Sequence, residues 1–261
     1  MPDALRSLLA LALLGTLLPA CTGTAAGSAG IGEEAPVADL PPIHVEQTAE
    51  LLVEGDNQAR AFYRQTVDAC EAGGLPTRRL SPAEVEKIGT TRYEMWFTGD
   101  AEIFRTRSWE VASDGPAGSC LFRLEETGSY ESESRTTRIA IDLATGVRQQ
   151  SAQAPDALLR YPIAAEDDAV APGFNGPSER SVAGQPCREW VSTLTGDRQC
   201  LWAAGRQWGF GSTALNDHRP GPDHIVLEQQ PGNGNGYRVT TQVMTVGQPF
   251  ELPAPAQEGS R

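Results

Sequence analysis

The strongest constraint on the fold is a stretch from Thr90 to about Leu143 in which successive side chains alternate in character. Its first segment, residues 90–97, divides into two alternate sets: Tyr93, Met95 and Phe97, and opposite them Arg92, Glu94 and Trp96. Successive side chains of a β-strand point to opposite faces of the sheet. Because turn-forming residues interrupt the stretch at 98–100, 113–116 and 144–146, the pattern predicts an antiparallel meander with one wet face.

The next segment of this stretch has one face of mixed character. Arg105 and Arg107 share it with Ile103 and Trp109. Charged side chains are rarely buried unless they are paired. We therefore expect this face to be partly exposed to solvent.

A second group of strands is predicted towards the C-terminus, at residues 187–192, 200–202, 225–228 and 237–246. Thr195-Gly196 and the Gly/Asn-rich residues 229–236 supply turns between them. Residues 151–181 separate the two groups and are rich in proline and acidic residues. We interpret 151–181 as a long connection or a mobile lid, and as a candidate boundary between two sub-sheets.

Two helices are predicted before the alternating stretch, after a weak strand signal within residues 43–53. Helical spacing brings together five residues on one predicted buried face: Ala59, Phe62, Tyr63, Val67 and Cys70. Asp56 or Asn57 can cap the start, and Gly73-Gly74 can end the helix. The sequence Ser81-Pro82-Ala83-Glu84 predicts a short second helix that begins with a capping box.

The expected fold class is therefore α+β. We predict a mainly antiparallel β-sheet, which could curve into a half-barrel, with an N-terminal helix and a short second helix. Five cysteines occur in the chain, and all but Cys21 lie in the predicted folded body: Cys70, Cys120, Cys187 and Cys200. An even number predicts two disulfides with three alternative connectivities.

Pairing each cysteine with its neighbour in the sequence favours the disulfides Cys70–Cys120 and Cys187–Cys200. A two-residue turn at Thr195-Gly196 would place Cys200 opposite Val191, about 13 Å along the strand from Cys187. A disulfide needs Cα atoms within roughly 7 Å, so this pair requires a wider loop or a bulge. No Cys-x-x-Cys spacing occurs, so neither a zinc site nor thioredoxin-like chemistry is indicated.

The N-terminus carries an export signal. Residues 7–20 form an apolar run, preceded by Arg6, that is too short for a transmembrane helix. The run ends with Leu18, Ala20 and then Cys21, which resembles the lipobox of bacterial lipoproteins, although Pro19 is an unusual residue within it. The resemblance covers only about the first 22 residues. It implies that residues 1–20 are a signal peptide, that diacylglycerol is attached to the Cys21 thiol and that cleavage occurs before Cys21.

The same resemblance implies a location. Two or more acyl chains hold a protein stably on a bilayer. In lipoproteins of two-membrane bacteria, an aspartate after the cysteine favours the inner membrane, and Thr22 stands here instead. The implied location is the outer membrane, facing the periplasm, with the membrane as a partner through the lipid on Cys21.

The remaining chain divides into a tether and a body. Residues 21–42 comprise the lipidated cysteine and a flexible tether rich in Thr, Gly, Ala, Ser and Pro. Residues 43–256 are expected to form a single β-rich globular domain. A formal net charge of −13 disfavours nucleic acid as a partner, because phosphate backbones attract basic proteins.

Catalytic signals are weak. Asp217-His218 and Asp223-His224 form a His/Asp cluster, but it lies in a loop rich in Pro and Gly, without the fixed spacing of a helical metal site. Gly209–Thr213 does not match a nucleophile elbow, which needs glycines at fixed spacing around the serine. We assign no catalytic, cofactor-binding or metal-binding residues, and expect the tryptophans to pack in the core.

Three functional hypotheses follow. The first is an outer-membrane-anchored periplasmic lipoprotein with a binding or envelope-structural role, which predicts a filled core and a protein partner. The second is a carrier of a lipid or other apolar ligand in a concave sheet, which predicts a deep apolar cavity. The third and weakest is a hydrolase or metal-dependent enzyme that uses the loop at 217–224, which predicts a histidine clustered with an acid or hydroxyl in a cleft.

Overall fold

Thirteen β-strands form one sheet in the computed structural model, which describes residues 36–37, 39–116, 118–163, 172–211 and 220–254. The strands are β1 (Ile43–Val53), β2 (Asp56–Asn57), β3 (Thr77–Arg78), β4 (Thr90–Phe97), β5 (Ala101–Ser113), β6 (Cys120–Ser134), β7 (Thr137–Asp142), β8 (Arg148–Ala152), β9 (Phe174–Val182), β10 (Gln185–Ser192), β11 (Arg198–Trp202), β12 (Val226–Gln230) and β13 (Gly236–Val246). The helices are α1 (Gln58–Ala72), α2 (Pro82–Val85) and a 3₁₀ helix (Ala203–Trp208).

The main path of the sheet runs β8-β7-β6-β5-β4-β1-β13-β12-β11-β10-β9, with β2 beside β1 and β3 beside β6. Two antiparallel meanders, β4–β8 and β9–β13, therefore flank the central strand β1. The sheet is open, with β8 and β9 at its two ends. The β3–β6 pair is parallel, and the pairs along the main path are antiparallel. The predicted mainly antiparallel sheet is confirmed.

Helix α1 begins and ends where its capping residues predict. The side chain of Asn57 accepts a hydrogen bond from the Arg60 backbone N–H, and Gly73 is the C-cap. Tyr63, Val67 and Cys70 are buried, as predicted. Helical spacing places Ala59 and Phe62 on the same buried face, but both are exposed, Phe62 to 69%, so that part of the prediction is wrong.

The short helix α2 has the predicted capping box. The Ser81 hydroxyl accepts from the Glu84 N–H, and the Glu84 carboxylate accepts from the Ser81 N–H. Pro82 occupies the first turn, where no backbone donor is needed. Both predicted helices are therefore present. The sequence pattern does not predict the 3₁₀ helix.

Two Thr-Gly turns share one construction. In each, a side-chain oxygen of the residue that begins the turn, Asp142 or Ser192, accepts from two backbone N–H groups further along. Gly146 and Gly196 have positive φ angles of 72° and 73°, which glycine adopts without strain. The Thr98 hydroxyl likewise accepts from the backbone N–H groups of Asp100 and Ala101, but this turn is tighter, because the Thr98 N–H donates to the Ala101 carbonyl.

The wider loop at 193–196 brings the second pair of cysteines together. Ser192 bonds to Asp197, so Cys200 lies opposite Glu189 and not opposite Val191. The Cα atoms of Cys187 and Cys200 are 5.5 Å apart, and the two residues form a disulfide. Cys70 and Cys120 form the other, which joins α1 to β6. The favoured pairing is the one present.

The connection between the meanders is shorter than predicted. Residues 174–182, at the end of the expected irregular stretch 151–181, form strand β9. This strand lies at an edge of the sheet and pairs only with β10 along the main path. An edge strand tolerates Pro177 and polar residues on both faces, which is why its sequence resembles a loop.

The two faces of the central strands differ. The core face carries Ile43, Val45, Met95 and Phe97, none more than 1% exposed. Its cluster extends across the second meander to both cysteines of one disulfide and to other buried residues: Cys187, Cys200, Trp202, Phe210, Ile225, Leu227 and Met244. The opposite face, here called the charged face, carries Glu46, Glu94 and Arg105. No helix within the described part of the chain is long and apolar enough to span a membrane.

Candidate functional site

Several residues singled out by the sequence lie outside the described ranges. These include Cys21, the tether up to Ala35, Asp217 and His218. His224 is described and is buried, and Gly221 forms a β-bridge with it. No group of three or more His, Cys, Asp or Glu side chains in the described ranges could hold a metal ion.

An apolar groove runs between α1 and β5, and we call it the helix groove. Its volume is about 550 Å³, within the usual range for ligand sites. Its lining comprises residues from α1, from the turn before β4, and from β5 and β6: Ala59, Phe62, Tyr63, Thr66, Ile88, Gly89, Trp109, Glu110, Val111, Ala112, Ser113 and Phe122. The exposed Phe62 ring lies at its rim, which makes this groove the principal candidate site.

A small satellite core fixes the helix groove in place. Tyr63 and Val67 of α1 pack with Leu80 and Ile88, and with partly buried residues of β5 and β6. The Tyr63 hydroxyl accepts a hydrogen bond of 2.7 Å from the Leu80 backbone N–H. The Cys70–Cys120 disulfide adds a covalent link between the same helix and β6. The walls are thus held by packing and by a covalent bond.

A charge cluster lies beside the groove on the charged face. The Glu94 side chain, 4% exposed, accepts two hydrogen bonds of 2.8 Å from Arg105. Arg107 donates a third, of 3.1 Å, and the Arg92 guanidinium lies 3.4 Å away. Arg92 also pairs with Glu46. One carboxylate thus contacts three arginines contributed by two neighbouring strands.

Electrostatics of this cluster favour the ionised carboxylate. Burial is the largest influence on Glu94 and by itself raises the pKa. Hydrogen bonds from Arg105 and the charges of Arg105, Arg107 and Arg92 outweigh it, so the pKa lies below its usual value. The cluster therefore stays charged at neutral pH.

A histidine and a tryptophan extend the same cluster. The His44 ring stacks on Trp96 at 5.1 Å, and the Arg105 guanidinium lies 5.2 Å from the Trp96 ring centroid. Burial lowers the pKa of His44, although Glu46 and Glu94 oppose this effect. The charges of Arg92 and Arg105 lower the pKa of His44 as well, so His44 is neutral at pH 7.

A polar pocket of about 510 Å³ lies on the core face near the start of β5, and we call it the acidic pocket. Arg160 lines this pocket, donating to Glu102 at 2.8 Å and to the Pro222 carbonyl at 3.0 Å. Its guanidinium is 4.2 Å from the ring centroid of Phe210. The pocket is already filled in part by this arginine, which ties several segments together.

The two faces of the central strands differ in packing. On the core face, Val45 and Met95 have no exposed surface and belong to one cluster of buried side chains. The helix groove is open and lies at the other face. Helical periodicity identified Phe62 but placed it in the core. Which part of α1 is left uncovered depends on how the helix lies on the sheet, and periodicity does not contain that information.

Known proteins add no family assignment. No protein-family model and no curated protein sequence matches the chain.

Proposed function

We propose that this chain is a lipoprotein, anchored in the outer membrane through a lipid on Cys21 and facing the periplasm, that binds an envelope partner in the helix groove. The lipobox-like Leu18, Ala20 and Cys21 support the anchor. Two disulfides in the folded body suit an oxidising compartment outside the cytoplasm.

The observation that carries the binding role is an apolar groove with a large aromatic ring exposed at its rim. Phe62 exposes 69% of its surface beside an apolar cleft built on a disulfide-linked helix. Contiguous exposed apolar surface of this kind marks interaction sites on soluble bodies. The filled core face favours this role over storage of a ligand inside the sheet.

The anchor is tested by labelling cells with a radioactive or alkynyl palmitate analogue. The wild-type chain should incorporate the label and sediment with outer-membrane vesicles. Cys21→Ser should abolish both properties, because only a thiol accepts the diacylglycerol. Label retained by Cys21→Ser would contradict the proposed anchor.

The binding role is tested by photocrosslinking in living cells. A photoreactive phenylalanine analogue in place of Phe62 should give a discrete crosslinked product. The same analogue in place of Leu194, which is 90% exposed in a turn far along the chain, is the matched control. Equal amounts of crosslinked product at both positions, or no product at Phe62, would contradict the proposed binding role of the helix groove.

The apolar lining of the same groove supports a second candidate, a carrier of a lipid or other apolar ligand, for which a half-barrel curvature of the sheet would be the expected architecture. Native mass spectrometry of the purified chain distinguishes the two candidates. A mass increment released by organic extraction, and lost in Phe62→Ala, would favour the carrier.

A further inference from the structure

Strand β5 continues past the end of its neighbour β4. The first residue of β4 is Thr90, and the last paired position recorded between the two strands is Thr91 with Ser108. Gly89 still donates to the Trp109 carbonyl at 3.3 Å, and then the chain turns back into α2. On its other side β5 stays paired with β6 as far as Ser113. Residues 110–113 therefore have a strand on one side only among the described residues.

The free side of this segment presents backbone hydrogen-bonding groups. In an antiparallel strand, alternate residues direct both N–H and C=O to the same neighbour. The Trp109 carbonyl points to the β4 side, and the Asp114 N–H bonds to Leu121 on the β6 side. The backbone groups of Val111 and Ser113 therefore point away from β6, towards the helix groove.

The apolar side chains of the groove lie beside this same edge. Val111 packs in the satellite core with Tyr63 of α1, and Phe62 stands at the rim. A strand added along β5 would place alternate side chains under α1, against Phe62 and Tyr63. Its other side chains would point to the opposite face, beside Glu110, which is exposed and takes part in none of the ion pairs of the described residues.

We propose that the occupant of the helix groove is an extended polypeptide segment that adds a strand to the β5 edge at Val111 and Ser113. This inference rests on the proposed binding role of the groove and specifies its ligand. The segment would alternate apolar residues, facing α1, with basic residues, facing Glu110. Main-chain hydrogen bonds supply affinity in this mode, and side-chain pockets supply selectivity. An acyl chain could fill the groove but could not pair with the backbone edge.

The exposed edge strand β8 is a natural comparison. Its five residues are all exposed, and it pairs with β7 alone. The Gln153 N–H and the Val147 carbonyl both point to β7, so the alternate residue Gln150 directs its backbone groups outward. This edge offers the same hydrogen bonds as β5 but lacks the neighbouring aromatic wall of α1.

The experiment uses the full-length chain in lipid nanodiscs and two probes. The first probe is a fluorescent decapeptide of alternating Ile and Lys, followed by fluorescence anisotropy, with empty nanodiscs as the blank. A second version carries N-methyl groups on its six central amides, which removes the donors and keeps the side chains. The second probe is dodecanoate bearing a diazirine, whose attachment sites are located by mass spectrometry.

The variants remove single edge donors. Ser113→Pro deletes one N–H that faces the groove, and proline is tolerated where the N–H of an edge strand is unpaired. Loss of one hydrogen bond should weaken peptide binding about fivefold. Gln150→Pro is the matched control at the β8 edge and should bind within about twofold of wild type. Phe62→Ala should also weaken binding severalfold, because the apolar wall is lost.

The N-methylated peptide tests the same point on the wild-type chain, so the result does not depend on the folding of any variant. It should bind at least about tenfold more weakly. Equal binding of both peptides, or equal effects of Ser113→Pro and Gln150→Pro, would overturn strand addition. Groove labelling by dodecanoate without peptide binding would also overturn it, while the binding role of the groove survives. If neither probe reaches the groove, the proposed binding role of the groove is wrong.

Discussion

The core face and the charged face of the same strands differ in how they are packed and covered. Met95 and Phe97 are fully buried on one face, and neighbouring Glu94 and Trp96 point to the other. The core face gains stability from continuous apolar packing. The charged face is covered only in part, by α1 at one end and by Phe250 near the other. Incomplete cover leaves both the charge cluster and the helix groove open to other molecules.

Two carboxylates make the difference measurable. Glu94 on the charged face contacts three arginines, and its pKa is lowered. Glu102 lies on the other side of the sheet, in the acidic pocket, and pairs with Arg160. Burial raises its pKa, the Arg160 charge opposes this, and nearby Glu133 and Asp223 raise it further. Ionisation therefore stabilises the fold at one site and opposes it at the other.

The largest expected effect concerns the disulfide under the helix groove. The Cys70→Ser/Cys120→Ser double variant should lose about 4 kcal/mol of unfolding free energy, against about 3 kcal/mol for Cys187→Ser/Cys200→Ser. The first bridge closes a loop with a sequence separation of 50 and the second one of 13. Urea unfolding of both variants measures the difference.

The opposite result, a larger loss of stability without the Cys187–Cys200 disulfide, would also be informative. Cys187 and Cys200 lie within the filled core cluster, and each is only 1% exposed. A larger loss for that pair would show that packing on the core face outweighs the entropy of loop closure. The helix groove would then need less covalent support than its long loop implies.

The second effect is cavity formation on the core face. Met95→Ala should cost about 3 kcal/mol, because a side chain with no exposed surface is deleted from a filled cluster. Phe62→Ala is the control from the groove and should change stability by less than about 0.5 kcal/mol. Urea titration followed by tryptophan fluorescence gives both values. Similar losses would mean that the groove also contributes to the core, contrary to the division into two faces.

The sequence predicts local features of both faces because these depend on neighbouring residues. A period of two assigns Met95 and Glu94 to opposite faces whatever the partner strands are. Asn57 and Ser81 mark the helix starts through hydrogen bonds to residues only three positions away. The even number of cysteines and the pairing of neighbours in the sequence predict the two disulfides. The four-residue loop that allows Cys187–Cys200 is evident only from the structure.

Features that depend on how distant elements are arranged were missed. Helical periodicity placed Phe62 in the core, because it cannot tell how far α1 is covered by the sheet. Strand β9 resembles a loop, since an edge strand needs no apolar alternation. Alternation assigned Arg105 a partly wet face, but only the register with β4 places it against Glu94. The unpaired edge of β5 is identified only from the position at which β4 ends, and that position is a feature of the structure.

The third effect breaks the charge cluster. Glu94→Gln should cost about 2 kcal/mol at pH 7, because three partly buried arginines lose their shared carboxylate. The pKa of Glu94 is depressed in the folded state, so its stabilisation is present above about pH 4, the unfolded value, and is lost as the pH falls through the folded pKa. The gap between wild type and variant should therefore close in acid. A gap independent of pH would show that the loss has another origin.

The smallest effect has the opposite sign and comes from the acidic pocket. Because the pKa of Glu102 is raised on folding, the stability linked to its protonated form is complete below about pH 4 and is lost as the pH rises through the folded pKa. Glu102→Gln, which stays neutral, should match wild type in acid and be more stable by about 1 kcal/mol at pH 7.

Glu133→Gln removes a charge that raises the pKa of Glu102, so it should reduce in part the loss of unfolding free energy that wild type shows as the pH rises. Urea unfolding from pH 3 to pH 8 measures all three curves. If Glu102→Gln destabilises the fold at pH 7 as Glu94→Gln does, the Arg160 ion pair outweighs the burial of its carboxylate, and the two carboxylates do not differ in kind.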